Sequence, residues 1–266
     1  MSYVYDLSNP DPTESVYCCI PKGTVCFTLC LEGEYFIQQN GKWARQPQAS
    51  VFGLITKRQF VKMSPHYREI TIGFKPQHFQ LFVQDSMAAI FEGNIIEASV
   101  LFSKDAIEQL TQRLVLSSCE SDSIKAISVF LTQYLTISKD HPAISRACEL
   151  LQHPNNNKVS DIAEGVNMST TQLRNLFRDR VGMMPKELMK LSRINKALTQ
   201  GDLDEETLTQ LAYKLGYFDQ AHFIHDFESV LELTPKQYFK NANLTFDYYN
   251  YSRLRLSSFT DHLPGR

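Results

Sequence analysis

Apolar positions along this chain change period once, and the change divides it. Between residues 24 and 74, short β-branched and aromatic runs at 24–31, 34–38, 50–54, 60–63 and 69–74 are separated by Gly, Pro, Asn or Ser. That spacing predicts strands. Asn40-Gly41, between Tyr35-Phe36-Ile37 and Trp43, predicts a tight hairpin. Residues 1–23 contain Pro10, Pro12 and Pro21 without a clear period and read as an extended arm. After Lys75-Pro76 the period becomes helical: Phe79, Phe82 and Val83 open a first helical region. Ile107, Leu110 and Leu114, behind a Ser103 cap, predict a second helix, and Ile124, Ile127, Leu131, Tyr134 and Leu135 a third. Their spacing suits packing on the sheet or a dimer seam equally well.

Beyond a linker at 138–141 the apolar period stays helical as far as residue 242, and the pattern repeats. Ile162-Ala163, Asn167, Met168, Ser169, Leu173, Phe177 and Pro185-Lys186 return as Leu211-Ala212, Gly216, Tyr217, Asp219, Phe223, Phe227 and Pro235-Lys236. The offset is 49 residues before the turn and 50 after it, because the second copy carries an extra residue, Phe218. Each copy reads as helix, tight turn, helix. Asn167 and Gly216 can take the left-handed conformation that ends the first helix, and Ser169 and Asp219 cap the next. Leu173, Leu176 and Phe177, or Phe223 and Phe227, supply its buried side, which leaves the polar side facing outward. A turn this short makes the helices cross steeply, as in a helix-turn-helix, whose second helix fits a DNA major groove. Between the copies, Pro185 starts a helix with Leu188, Leu191, Ile194 and Leu198 at helical spacing, and Gly201 ends it. Ahead of both, Pro142 opens a helix with Ile144, Ala147, Leu150 and Leu151 inside, and 153–157 reads as a loop.

From Lys158 to Phe239, with A-x-x-x-[GN]-[MY], the capped helix ending in Phe, and then V-G-M-M-P and L-E-L-T-P, the chain resembles the DNA-binding domain of the AraC/XylS family of bacterial transcription regulators. The resemblance implies two helix-turn-helix units held by a long central helix, entering successive major grooves on one face of the duplex. It also implies that the N-terminal half senses a ligand or oligomerises, in many members as a cupin-like barrel. Two departures concern local geometry: Glu232 stands where the first copy has Gly182, and Met184 where the second has Thr234 as a cap.

The fold expected is therefore α+β. An N-terminal β-rich, barrel-like domain with helices occupies 1–138, β-rich over 24–74 and helical over 76–137. An all-α domain of two helix-turn-helix units joined by a central helix follows at 141–242, and a tail at 243–266. The tail interleaves Tyr248, Tyr249, Tyr251 and Phe259 with Arg253 and Arg255, a mixture that suits docking or disorder.

Composition adjusts this picture in three places. At 43% hydrophobic and 21% charged over 266 residues the chain is ordinary for about two globular domains. With no charged-then-apolar leader and no apolar run near ~18 residues, a cytoplasmic protein without membrane contact is expected. Cys18, Cys19, Cys26 and Cys30 crowd together, yet Val25, Phe27, Leu29 and Leu31 alternate with Cys26, Thr28 and Cys30 as in a strand. Cys26 and Cys30 would then lie ~13 Å apart, too far to share one zinc ion. Buried free thiols are the reading, and DNA-alkylation repair proteins with a zinc cysteine cluster are not favoured. The net charge of −2 looks unpromising for a DNA binder. Residues 158–196, however, hold 8 basic against 4 acidic side chains, and 197–240 hold 3 against 8. The first unit should supply most of the phosphate affinity.

The double-stranded DNA partner is expected to meet Thr171, Gln172, Arg174 and Asn175 in the first unit and Gln220, Ala221, Ile224 and His225 in the second. Arg pairs with guanine and Asn or Gln with adenine, while Ala221 and Ile224 suit a thymine methyl. The family motif places Thr171, Arg174 and Asn175 at base-facing positions. Ser169, Arg178, Arg180, Lys186 and Lys236 are candidates for phosphates, and His222 for a structural place beside the turn. Tyr35, Trp43, Phe52, Phe60 and Phe74 could line an effector cavity or simply form core. His66 and His78 alone do not make a metal site, no cofactor is expected, and no nucleophile–base pair or phosphate loop suggests an enzyme. A regulator controlled by a small-molecule effector or by homodimerisation is the leading reading. A protein–protein module that has lost DNA affinity is the alternative, motivated by the acidic second unit.

Overall fold

The computed structural model describes residues 3–8, 13–83, 86–91, 95–136, 141–151, 158–201 and 207–240. The expected loop at 153–157, nearly all of the linker and the aromatic tail lie outside them.

Among the described residues nine strands make two antiparallel sheets. The first has the order β1 (Tyr3–Ser8), β8 (Arg68–Phe74), β3 (Val25–Glu32), β6 (Ala49–Phe52), β9 (Ile95–Glu97). The second has the order β2 (Ser15–Cys19), β7 (Gln59–Met63), β4 (Tyr35–Gln39), β5 (Lys42–Arg45). The predicted hairpin joins β4 to β5, with Asn40 and Gly41 at φ of 50° and 75°. The β-rich N-terminal half is as expected, and among the described residues no strand belongs to both sheets, so its barrel-like part is two open layers and not a closed barrel. The described residues of 1–23 are not an arm: β1 pairs with β8 from Tyr3↔Gly73 to Ser8↔Arg68, and β2 pairs with β7 from Ser15↔Met63 to Cys19↔Gln59. Pro21 falls after β2, where no ladder hydrogen bond is lost.

The period-2 pattern of β3 decides which layer each side chain enters. Phe27 and Leu29 face the helices, with Phe27 5.1 Å from Phe102 and 5.8 Å from Phe130 by ring centroids. Cys30 faces the second sheet and packs with Tyr35, Ile37, Val61, Met63 and Tyr67. Burial in that layer pushes the Cys30 thiol up to about 12. None of the six cysteines is in a disulfide.

Short helices α1 (Pro76–Phe79) and α2 (Met87–Ile90) lead to the hairpin of α3 (Lys104–Leu116) and α4 (Glu120–Tyr134). Ser103 caps α3 by accepting from Ala106 N, as its sequence position predicts. The C-terminal half comprises α5 (Pro142–Leu151), α6 (Val159–Gly165), α7 (Thr170–Arg180), α8 (Pro185–Gln200), α9 (Leu208–Lys214), α10 (Gln220–Leu231) and α11 (Pro235–Lys240). One cluster of buried side chains runs unbroken from Val4 through Met87, Ile144 and Phe177 to Leu231. The two halves therefore share a core: α1 packs on α5, and α2 on α7. Among the described residues no helix is long and apolar enough to cross a membrane.

Candidate nucleic-acid interface

Both copies of the repeat build the same corner by the same backbone device. In the first, Asn167 turns at φ 55°, its N–H donating to Glu164 O at 2.9 Å, while Met168 N donates to Ala163 O at 2.9 Å. In the second, Gly216 turns at φ 78°, with Gly216 N to Tyr213 O and Tyr217 N to Ala212 O both at 3.0 Å. Both are helix ends closed through a left-handed residue. Each following helix is then capped by side chain. Ser169 Oγ accepts from Gln172 N at 3.2 Å, and Asp219 Oδ1 from His222 N at 2.7 Å. Leu173, Phe177, Phe223 and Phe227, each fully buried, seat α7 and α10 on the core.

That seating leaves the expected reading faces in solvent. Thr171, Gln172, Arg174 and Asn175 are exposed on α7, as are Ala221 and His225 on α10, whereas Gln220 and Ile224 are half-buried. The structure brings the first four together on one helix face, but it also engages both glutamines. Gln172 Oε1 accepts from Ser169 N at 2.9 Å, completing a capping box, and Gln220 Oε1 accepts from Thr209 Oγ1 at 2.7 Å. A glutamine or asparagine reads adenine through its oxygen and nitrogen together, and the Asn175 oxygen is engaged as well, accepting from Arg178 Nη2 at 3.5 Å. Ser-x-x-Gln is a capping-box pattern legible in sequence, whereas the Thr209 bond needed coordinates.

Among the phosphate candidates, Ser169, Arg178, Lys186 and Lys236 are exposed. Arg180 is half-buried, with its Nε 3.2 Å from the Asp179 carboxylate, which competes with a phosphate. On α10 Asp226 stands 3.6 Å from His222 and 3.7 Å from His225, so the acidic charge lies against both histidines. His222 also packs edge-on to Tyr217 at 5.1 Å, beside the turn, while the Arg193 guanidinium covers the same tyrosine at 5.2 Å. Burial, with the Asp226 charge adding to it, raises the Tyr217 phenol above its ordinary range. The two sequence departures have local answers. Met184 caps nothing itself, but Glu187 Oε2 accepts from its N–H at 3.4 Å. Glu232 does adopt the left-handed conformation, φ 53° and ψ 29°, as the C-cap of α10.

The five aromatic residues expected at an effector cavity are dispersed. Tyr35 and Phe52 line a cavity of about 40 Å³ between the sheets, with Thr28, Cys26, Val61 and Glu69. Trp43 lies on β5 beside Lys62, Phe60 lies under Arg58, and Phe74 packs edge-on to Phe79 and Phe82. Lys22, Thr24, Thr28, Gln59 and Glu69 are polar lining that the sequence reading missed. An i,i+2 alternation of polar side chains on a strand with apolar neighbours was the available signal for Thr28 and Glu69. Glu69 is buried and accepts from Tyr67 Oη and Thr71 Oγ1. Tyr35 Oη is buried near Ser50, whose own hydroxyl donates to Pro47 O, and it closes no hydrogen bond among the described residues. No group of three or more His, Cys, Asp or Glu among the described residues is placed to hold a metal.

Residues 162–241 match the family described as helix-turn-helix domain, so the C-terminal part of the chain is an AraC-type helix-turn-helix domain. An uncharacterised helix-turn-helix transcriptional regulator of Haemophilus influenzae is 28% identical over 96 residues, 36% of this chain and 32% of that protein. The regulatory protein ada of Salmonella typhimurium is 29% identical over 103 residues, 38% of this chain and 28% of that protein. The chain thus spans about a third of the length of these curated relatives. Among solved structures, ToxT of Vibrio cholerae aligns over 90% of this chain and 97% of its own, at 14% identity and a TM-score of 0.45.

Proposed function

We propose that the chain is a sequence-specific, DNA-binding transcription regulator, with α7 and α10 entering successive major grooves and α8 spacing them. The observation that carries this reading is the pair of capped helices, built alike, whose polar faces stay in solvent while their apolar faces fill the core. Thr171, Arg174 and Asn175 read bases; Gln172 and Gln220 contribute through their amide nitrogens; Ala221, Ile224 and His225 offer a less polar second surface. Ser169, Arg178, Lys186 and Lys236 hold phosphates, with Arg180 a weaker fifth. Selection of bound sequences from random DNA should return a two-part site. Arg174→Ala should then weaken that site more than random DNA, and equal loss on both would remove base reading by Arg174.

In the N-terminal half the cavity between the sheets is the proposed effector site. Its size suits a molecule of a few heavy atoms, room for roughly one to a few waters, and Tyr35 Oη and Glu69 favour a ligand that offers both an acceptor and donors. A homodimer is proposed through the α3–α4 hairpin, where Val115, Leu116 and Val129 are exposed beside Arg113, Asp122 and Lys125. Charges of both signs around one apolar patch suit a two-fold contact. Sedimentation of Leu116→Asp against the parent chain tests it. The acidic second unit keeps a second reading in view, a protein-binding module. Failure of the full chain to bind DNA even at low salt would favour that reading.

A further inference from the structure

The sheet half does more than sit beside the helix-turn-helix half; it grips both units. Met87 of α2 lies against the turn after α7, where a Cβ added to Gly182 would come within 3.3 Å of its Cβ. On the connector, Asn195 Nδ2 donates to Pro21 O at 2.8 Å, and Leu188 closes to 3.1 Å of a Cβ built on Gly23. The second unit is held at the far end of α10. There Arg58 N donates to Val230 O at 2.9 Å, and Arg58 Nε reaches Glu232 Oε2 at 3.4 Å.

This last contact explains an oddity of sequence. A left-handed cap is where helices place glycine, and the first copy does so with Gly182 at φ 78°. The second copy instead carries Glu232 at φ 53°, a conformation that costs a non-glycine residue. A side chain is retained there, and it is the side chain that pairs with Arg58. Arg58 also takes a backbone carbonyl in the last turn of α10, which no intrahelical donor satisfies, and it places a cation at the negative end of the helix dipole. With this grip closed, Thr171, Arg174, Asn175, Ala221 and His225 all remain exposed. The contact therefore orients the second unit without covering its reading face.

We propose that Arg58 and Glu232 are positioning residues for DNA reading: through them the sheet half, already fixed to the first unit and to α8, holds the second reading helix in phase with the first. The inference rests on the DNA-binding reading above. It makes the β layers part of the groove-spacing apparatus, alongside the central helix. Lys22 and Gln59, which line the cavity between the sheets, flank the gripping residues Pro21, Gly23 and Arg58, so the wall of the proposed effector site and the grip are the same two loops.

The test uses the full chain and the two-part site obtained by selection, with one or two base pairs inserted between its parts. Each added pair rotates the second part by roughly a tenth of a turn. The parent chain should lose about tenfold or more in affinity at two inserted pairs, because a rigidly held second unit no longer adds its contacts. Glu232→Gly keeps a comfortable cap and should fold at least as well, yet its loss on insertion should shrink to about threefold or less. Arg58→Ala should behave alike, the double variant no worse than either single one, and the reversed pair R58E/E232R should recover part of the spacing response. A Glu232→Gly protein with parental stability and an unchanged spacing response overturns the inference while leaving the DNA-binding reading intact. A parent chain that binds no DNA overturns both.

Discussion

The two helix-turn-helix units share a backbone and differ in nearly everything it displays. The first presents Arg174, Asn175 and Arg178, with asparagine at its left-handed turn and glycine at its left-handed exit. The second inserts Phe218, which is 86% exposed, ahead of its cap, surrounds its histidines with Asp226, and leaves through a left-handed glutamate tied to the sheet half. A duplicated scaffold thus conserves the apolar positions that fold it, and its outward positions and exits are where the copies diverge. Affinity is expected to concentrate in the first unit, and dependence on the sheet half in the second.

The largest effects should show where the copies are the same. Phe177→Ala and Phe227→Ala each empty a fully buried, equivalent site and should each cost about 3–5 kcal/mol, read from denaturant unfolding. A large inequality would mean that the units do not share one supporting core. Next comes the contrast in reading. Arg174→Ala should cost about 1–3 kcal/mol at the selected site, measured by anisotropy competition, while His225→Ala costs less. The exits should then answer oppositely to a swap. Gly182→Ala meets both a left-handed φ and Met87, and should lose about 1–2 kcal/mol of stability. Glu232→Gly should change stability by less than about 1 kcal/mol. A smaller difference should appear in salt dependence, where Arg178→Ala lowers the slope of log affinity by about 1 and has no counterpart in α10.

The last contrast needs alkali. Burial pushes the thiol of Cys148, on the α5 helix that supports the first unit, up to about 12. A thiol raised in the folded state favours the fold fully below its ordinary value near 9 and loses that favour as pH climbs toward 12. Cys148→Ala should therefore show a flatter fall in stability over that range, followed by thermal melts at stepped pH.

The helical half was legible because its signals are local. Ser169, Asp219, Gly216 and Pro185 act on residues within one turn of themselves, and Leu173 with Phe177 declares a buried face at a spacing the helix itself imposes. The strand run at 25–32 was legible for the same reason. What escaped depends on partners far along the chain. Residues 3–8 and 15–19 become strands only because β8 and β7 offer them edges, and proline-rich surroundings concealed that. Trp43 and Tyr35 look alike in a strand pattern, yet one faces solvent beside Lys62 and the other the inter-sheet cavity. The glutamate at 232 could be recognised as anomalous but not explained, since its partner Arg58 lies 174 residues away.

The unbroken core from Val4 to Leu231 bears on how such chains can be recombined. A hybrid joined at 138–141, carrying this C-terminal half on a foreign N-terminal half, would strip Met87 and the other α2 contacts from α7 and the α1 contacts from α5, leaving greasy surface that the donor never evolved to wet. Grafts that bring α1, α2 and the Arg58 loop along, or that rewrite those apolar faces as polar ones, are the ones that should stay in solution.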